Sequence, residues 1–238
     1  MSPTPPPYPE FKIALLGFGN VGQALVELLL EKKDDLIDKP GIGFRVVGIG
    51  SGTHGLAVDP RGLPLHDVLD AYRAGTSLDE FSSFPVPDST AFIENCGADA
   101  LVETTPVDYQ TGEPALTYLR QALGMGIHAI TANKGPVVHG YRELDNLARR
   151  NKVSFLFESA VMDGAPVFSI ARSGLPGAQV NSFSGLLNST TNLILSKMEE
   201  GETQEEAISY AQSIGIAETD PSGDVDGWDA AVKVAALV

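Results

Sequence analysis

Short, unbroken apolar runs alternate along the first half of the chain with longer stretches whose apolar residues recur every three or four positions. FKIALLG, from Phe11, predicts a buried strand, NVGQALVELLLEKK, from Asn20, a helix with an apolar stripe, and FRVVGIG, from Phe44, a second strand after the breaker KPGIG. ADALVETT and IHAITA read as further strands around a helix from Glu113 to Met125, which Gly126 stops. A helix over Tyr141 to Asn151 then precedes a last strand, VSFLFE. Strands alternating with helices predict an α/β fold built on a doubly wound parallel sheet of Rossmann type.

After Glu158 the rhythm changes. VNSFSGLL is strand-like, but three helices follow: Thr190 to Glu200 with Gly201 as its stop, Thr203 to Ile214, and a closing helix from Asp226. Thr203 and Glu206 stand at capping-box spacing, and Gly215 ends that helix. The expected organisation is therefore a loose Pro-rich tail over residues 1–10, a nucleotide-type domain over 11–158 and an α+β domain over 159–238.

A chain of 238 residues, 43% of them hydrophobic, is long enough to bury a sizeable core. Its net charge of −15 repels nucleic acid and anionic membrane, which leaves a small molecule as the expected ligand and no nucleic-acid or membrane partner. No window is long and apolar enough to cross a bilayer, and the N-terminal segment lacks a signal-peptide pattern, so the expected compartment is the cytoplasm. On that expectation the sequon at Asn188 is discounted as a glycan acceptor. Cys96 reads as a packing residue, and His54, His66, His128 and His139 stand singly, without metal-ligand spacing.

GFGNVG places Gly17, Gly19 and Gly22 in G-x-G-x-x-G order directly between a strand and a helix. Gly17 permits a tight turn, Gly19 lets a pyrophosphate approach the backbone, and the helix start offers free N–H groups and a positive dipole end. The candidate dinucleotide contacts are thus Gly17, Phe18, Gly19, Asn20, Val21 and Gly22. At the end of the second strand, where an NAD site carries an acid for the adenosine ribose, the chain has Ser51 and Thr53. That absence permits NADP as well as NAD, with His54 and Arg61 as candidates to meet a 2′-phosphate.

The closing helix raises a different question. Its side chains are mostly Trp, Ala, Val and Leu, yet it carries Asp229 and Lys233 one turn apart on one face. A helix apolar all round is expected to be buried, and buried charges need a partner. Burial lowers the proton affinity of such a lysine and the acid restores it, giving a proton donor and acceptor usable near neutral pH. The preceding loop, IAETDPSGDVDG, gathers Glu218, Asp220, Asp224 and Asp226. It fails as a calcium loop, because Ser222 and Lys233 fall at its first and twelfth positions; a substrate ammonium group is the better cation. A hydride-carrying cofactor and a lysine that moves a proton together imply carbonyl/alcohol redox chemistry.

GFGNVG, TANKGP, FESAVMDGAP, GLLNSTTNLIL and GIAETDPSGDVDGWDAAVK, in that order from Lys12 to Val238, resemble homoserine dehydrogenase. The resemblance implies NAD(P)-dependent interconversion of L-homoserine and L-aspartate 4-semialdehyde, a step of threonine and methionine synthesis, in a homodimer. It implies Lys233 as the catalytic lysine and Asp229 as its partner. Glu218 would bind the substrate's amino group, with Asp224 and Thr190 lining the pocket. Lys134 would lie beside nicotinamide and substrate, and Thr105 near the cofactor. It also implies a sodium ion on backbone oxygens of Glu158, Val161, Asp163 and Ala165. Family chains often carry Asp where this one has Ser51, and they continue well beyond Val238, so the second domain is expected to be C-terminally incomplete relative to the family. Two alternatives follow: a module that holds dinucleotide without turnover, and an oxidoreductase of another amino-acid semialdehyde.

Overall fold

The computed structural model describes residues 8–39, 41–162, 164–217 and 220–238. The chain forms two compact units, one comprising residues up to Asp108 together with Gly112–Phe157, the other Tyr109–Thr111 with Glu158–Val238.

The first unit is laid down as β1 (Glu10–Leu16), α1 (Asn20–Glu31), α2 (Lys33–Asp38), β2 (Gly43–Ser51), β3 (Gly55–Val58), α3 (Leu65–Arg73), a 3₁₀ turn at Leu78–Phe81, α4 (Ser89–Asn95), β4 (Ala100–Glu103), α5 (Ala115–Gly124), β5 (His128–Thr131), α6 (Lys134–Asn151) and β6 (Phe155–Leu156). The strands form one sheet in the order β3-β2-β1-β4-β5-β6. All neighbours are parallel except β3, which turns back antiparallel on β2. From β1 the strands are added outward through β2 and β3 on one side, and then through β4, β5 and β6 on the other, which places the switch point of the sheet between β1 and β4.

Both faces of the sheet are covered, and this is why its strands read as continuous apolar runs. Successive side chains of β1 go to opposite faces. Ala14 and Leu16 join Val47, Phe92, Ile93 and Leu101 in one core, while Leu15 joins Phe18, Val26, Ile49, Val68 and Leu69 in the other.

Several local expectations need correction. The tail ends sooner than expected: Pro9 O accepts from Gly43 N at 2.9 Å and Glu10 pairs with Arg45 at 2.5 Å, while residues 1–7 of the expected tail lie outside the described residues. The helix expected from Tyr141 starts at Lys134. Gly135 and Pro136 look like breakers, but in the first turn a proline leaves no hydrogen bond unmade, and Asn133 caps the helix by accepting from Gly135 N at 3.0 Å.

The second unit contains a 3₁₀ turn at Glu158–Ala160, α7 (Val167–Ser169) running into a π turn at Ile170–Gly174, then α8 (Ser189–Glu199), α9 (Gln204–Ser213), α10 (Ser222–Val225) and α11 (Trp228–Leu237). Ile194 of α8 and Ala207 and Ala211 of α9 form its core with Ala217. Thr203 and Glu206 make the expected capping box. The expected strand VNSFSGLL is absent: among the described residues of this unit no segment offers it a ladder, and Val180, Phe183 and Leu186 are exposed. Alternation alone does not make a strand without a partner.

Candidate active site

The glycine turn stands at the carboxyl end of β1, beside β4, at the switch point. Gly17 has φ of 102°, and a Cβ there would lie 2.4 Å from the carbonyl carbon of Thr104, so neither the backbone angle nor the space admits a side chain. The Thr104 hydroxyl donates to Gly17 O at 2.8 Å and closes the turn. Gly22 lets α1 approach that turn, since a Cβ would meet Gly17 O at 2.6 Å. A Cβ built on Gly19 would meet nothing within 4 Å, and Gly19 begins a helix whose end no side chain caps. The first N–H groups of α1 are thus left to a ligand, with the positive helix end behind them. Asn20 and Val21 are exposed on that first turn. Phe18 is buried edge-on against Tyr72, at 5.1 Å between centroids, so it has only backbone to offer a ligand.

At the end of β2, Ser51 Oγ lies 3.3 Å from Thr53 Oγ1, which lies 2.7 Å from His54 Nδ1; the imidazole rests on Tyr72. These are hydroxyls and a ring nitrogen, a set suited to a phosphate oxygen. Arg61 does not join them: it makes a two-point pair with Asp59, Nε to Oδ1 at 3.1 Å and Nη2 to Oδ2 at 2.8 Å.

At the ends of β4 and β5, Glu103 is fully buried. Its Oε1 accepts from Thr105 N at 2.7 Å and Thr105 Oγ1 at 2.6 Å, and its Oε2 accepts from Thr131 Oγ1 at 2.6 Å. Burial pushes this carboxyl above its ordinary range, against the pull of the Thr105 and Thr131 hydroxyls. Thr105 therefore gives its hydroxyl hydrogen to Glu103, and Lys134 opens α6 directly after the cap residue Asn133.

In the second unit the inward face of α11 carries the polar groups. Asp229 is buried, Lys233 half-buried, and Trp228 and Val234 are exposed, so the helix is not buried all round as its composition suggests. Lys233 Nζ lies 2.6 Å from Asp229 Oδ2 and donates to Leu187 O at 2.5 Å. Asn188 then ties the acids together. Its Nδ2 donates to Asp229 Oδ2 at 2.9 Å and to Asp224 Oδ1 at 2.6 Å, while its Oδ1 caps α8 by accepting from Thr191 N at 2.7 Å. An amide flipped the other way would set its oxygen against two carboxylates, so this orientation is the one the network permits. Lys233 also lines a cavity of about 290 Å³ walled by Val161, Met162, Leu186, Ser189 and Asn192. The Thr190 hydroxyl donates to Ile216 O at 3.3 Å.

A family model for "Homoserine dehydrogenase, NAD binding domain" matches residues 17–158, and one for "Homoserine dehydrogenase" matches 166–238. The NAD(+)-dependent homoserine dehydrogenase of Pseudomonas canavaninivorans is 38% identical over 232 residues, covering 96% of this chain and 65% of that one. The homoserine dehydrogenase of Methanocaldococcus jannaschii is 37% identical over 230 residues, with 94% and 67% covered. The chain belongs to the homoserine dehydrogenase family. Among solved structures, a hyperthermophilic archaeal homoserine dehydrogenase mutant in complex with NADPH superposes with a TM-score of 0.84 at 32% identity, over 96% of this chain and 68% of that one. The chain spans about two thirds of the length of these two relatives and about half that of others, such as the homoserine dehydrogenase of Corynebacterium glutamicum, of which it covers 46%.

Of the residues expected from the homoserine dehydrogenase resemblance, Lys233, Asp229 and Asp224 are brought into one network, whereas Thr190 bonds elsewhere. Glu218 and Asp163 lie outside the described residues. The Glu158 side chain is taken up by α7: it accepts from Ser169 Oγ at 2.6 Å and from Phe168 N at 2.9 Å, and the Ser169 hydroxyl foremost holds this carboxyl below its ordinary range. Val161 is a wall of the Lys233 cavity, and the Ala165 carbonyl already accepts from Val167 N at 2.9 Å. Sequence reasoning missed Asn188 and Glu103. An Asn just ahead of a helix is a cap signal, but with the helix expected from Thr190 the cap position fell on Ser189, whereas α8 starts at Ser189 and is capped by Asn188. Glu103 gave no comparable sign.

Proposed function

We propose that this chain carries the dinucleotide and substrate halves of an NAD(P)-dependent homoserine dehydrogenase, oxidising L-homoserine to L-aspartate 4-semialdehyde and reducing it back. The observation that carries the reading is the inward pair Lys233–Asp229, an amine held at 2.6 Å by a carboxylate on an otherwise apolar helix and lining a cavity. When bound, the dinucleotide supplies or accepts the hydride at the carbon bearing the oxygen. In the oxidative direction the neutral Lys233 amine takes the hydroxyl proton; in the reductive direction its ammonium form gives a proton to the nascent alkoxide. Asp229 holds the amine in place, and Asn188 keeps Asp229 turned toward it. Glu218 and Asp224 belong to the same reading as partners of the substrate's ammonium group, with Thr190 beside them.

The first N–H groups of α1, beside Gly17, Phe18, Gly19, Asn20, Val21 and Gly22, would hold the pyrophosphate, and Thr105 and Lys134 the nicotinamide half. Ser51, Thr53 and His54, with no carboxylate among them, support NADP over NAD. A sodium ion on carbonyls of Glu158, Val161, Asp163 and Ala165 would be structural, and no chemistry passes through it. A homodimer belongs to the same reading. No helix among the described residues is long and apolar enough to cross a membrane, and a cytoplasmic setting belongs to the same reading.

Steady-state reduction of NADP+ and NAD+ with L-homoserine, on this chain and on Lys233→Ala, tests the reading. Turnover that favours NADP+ and disappears in the variant supports it. Turnover surviving in the variant overturns the proton-transfer role. Cofactor binding with no turnover on any substrate favours a binding module, and turnover only with a different amino-acid semialdehyde moves the specificity elsewhere. Light scattering on the same samples reads the dimer.

A further inference from the structure

Glu103 is a fully buried acid to which the proposed chemistry gives no step, and it closes a ring of hydrogen bonds. From its carboxylate the ring runs to the Thr131 hydroxyl at 2.6 Å, which accepts from Asn133 N at 2.9 Å. Asn133 Nδ2 reaches the Thr105 carbonyl at 3.3 Å, and Thr105 returns through its N–H and hydroxyl to Glu103. Thr131 and Asn133 are themselves buried. The ladder already pairs Glu103 with Thr131 through the backbone, so holding β4 to β5 does not require a carboxylate.

What a carboxylate adds is direction. Its oxygens only accept, so both threonine hydroxyls must point their hydrogens at it, and Asn133 is left to cap α6 just ahead of Lys134. The ring begins beside the glycine turn, where the missing Cβ of Gly17 faces the backbone of Thr104 and Thr105. In a doubly wound sheet the β1-β2-β3 side takes the adenosine half of a dinucleotide, and the β4-β5-β6 side takes the other mononucleotide.

We propose that Glu103 is a positioning residue for the nicotinamide half of the cofactor, locking Thr105 and the start of α6, with Lys134, where that half binds. The inference rests on the dinucleotide reading of the first unit. It also separates Glu103 from a purely structural acid, because a structural defect weakens every ligand of the unit alike.

Calorimetric titration of the 238-residue chain tests it, with NADP+ and with 2′-phospho-ADP-ribose, which lacks the nicotinamide. The variants are Glu103→Gln and Thr131→Val, the second breaking the ring without touching the acid. The expected result is a Kd for NADP+ raised about tenfold in both, the size of one lost hydrogen-bonded constraint, with 2′-phospho-ADP-ribose unchanged within about twofold. Equal weakening of both ligands, unchanged binding of both, or unfolding of both variants overturns the proposal. A wild-type chain that binds neither ligand overturns the dinucleotide reading and this inference with it.

Discussion

Lys233 Nζ lies 2.6 Å from Asp229 Oδ2, one helical turn back along α11. Both charges sit on the buried side of the helix while Trp228 and Val234 of the same helix face outward. Such a placement favours function over stability, since a buried pair gains little over apolar residues of the same volume. Removing one partner is a different matter. Lys233→Met is expected to cost about 3 kcal/mol in urea unfolding, because it leaves the buried Asp229 without its counter-charge, and adding Asp229→Leu should recover much of that loss. Neither variant should turn over L-homoserine. A double variant no more stable than the single one would contradict this account.

Asn188 gives the sharpest contrast between two small changes. Asn188→Ala removes the cap of α8, a loss of about 1 kcal/mol, and also the shared donor of Asp224 and Asp229. Asn188→Asp keeps a good cap but sets a third acid against two others. We expect Asn188→Asp to melt below Asn188→Ala at pH 8, with the order reversing near pH 5 as the new carboxyl takes up a proton. Thermal melts at the two pH values decide it.

The glycines of the turn should separate by assay. Gly17→Ala meets the Thr104 backbone and a positive φ together, so it should lower Tm sharply. Gly19→Val enters open space, so its Tm should stay close to wild type while dinucleotide affinity collapses. Calorimetry with NADP+ beside a thermal melt reads both effects.

Glu103 supplies a stability signature in pH. Burial, the dominant influence, raises its carboxyl above the unfolded value, so the folded state binds that proton more readily than the unfolded chain. Its contribution is fully present below the unfolded pKa, about 4.3, and is lost as pH rises through the folded one. Stability measured as wild type minus Glu103→Gln should therefore increase as pH falls from 7 towards 4. A flat difference would mean the acid titrates as it does in the unfolded chain. Glu158, Asp59 and Glu143 are shifted the other way, and the subtraction removes them.

Cofactor choice should turn on the end of β2. Ser51→Asp places a carboxylate beside Thr53 and His54, and is expected to raise the KM for NADP+ at least about tenfold while leaving that for NAD+ near its starting value. Initial rates over both cofactors measure the switch.

The Rossmann half was legible because its parallel strands are buried on both faces and so appear as apolar runs, as in FKIALLG and FRVVGIG. The antiparallel β3 was not, because four residues opening with Gly55 carry too short a pattern. The helical periodicity that is plain from Tyr141 to Asn151 does not reach back to the capped start of α6, where Gly135 and Pro136 mimic a breaker. The Lys233–Asp229 pair could be read since a helix writes its contacts at fixed local spacing. Glu103 could not, because its partner Thr131 is 28 residues away and the contact exists only once β4 and β5 lie side by side.

One amide at Asn188 starts a helix with its oxygen and restrains two acids with its nitrogen. On the proposed reading, stability and turnover are therefore not independent traits at this position. A genetic screen that scores either growth or abundance will report the same substitutions as harmful, and only a paired measurement of melting and rate can apportion the damage.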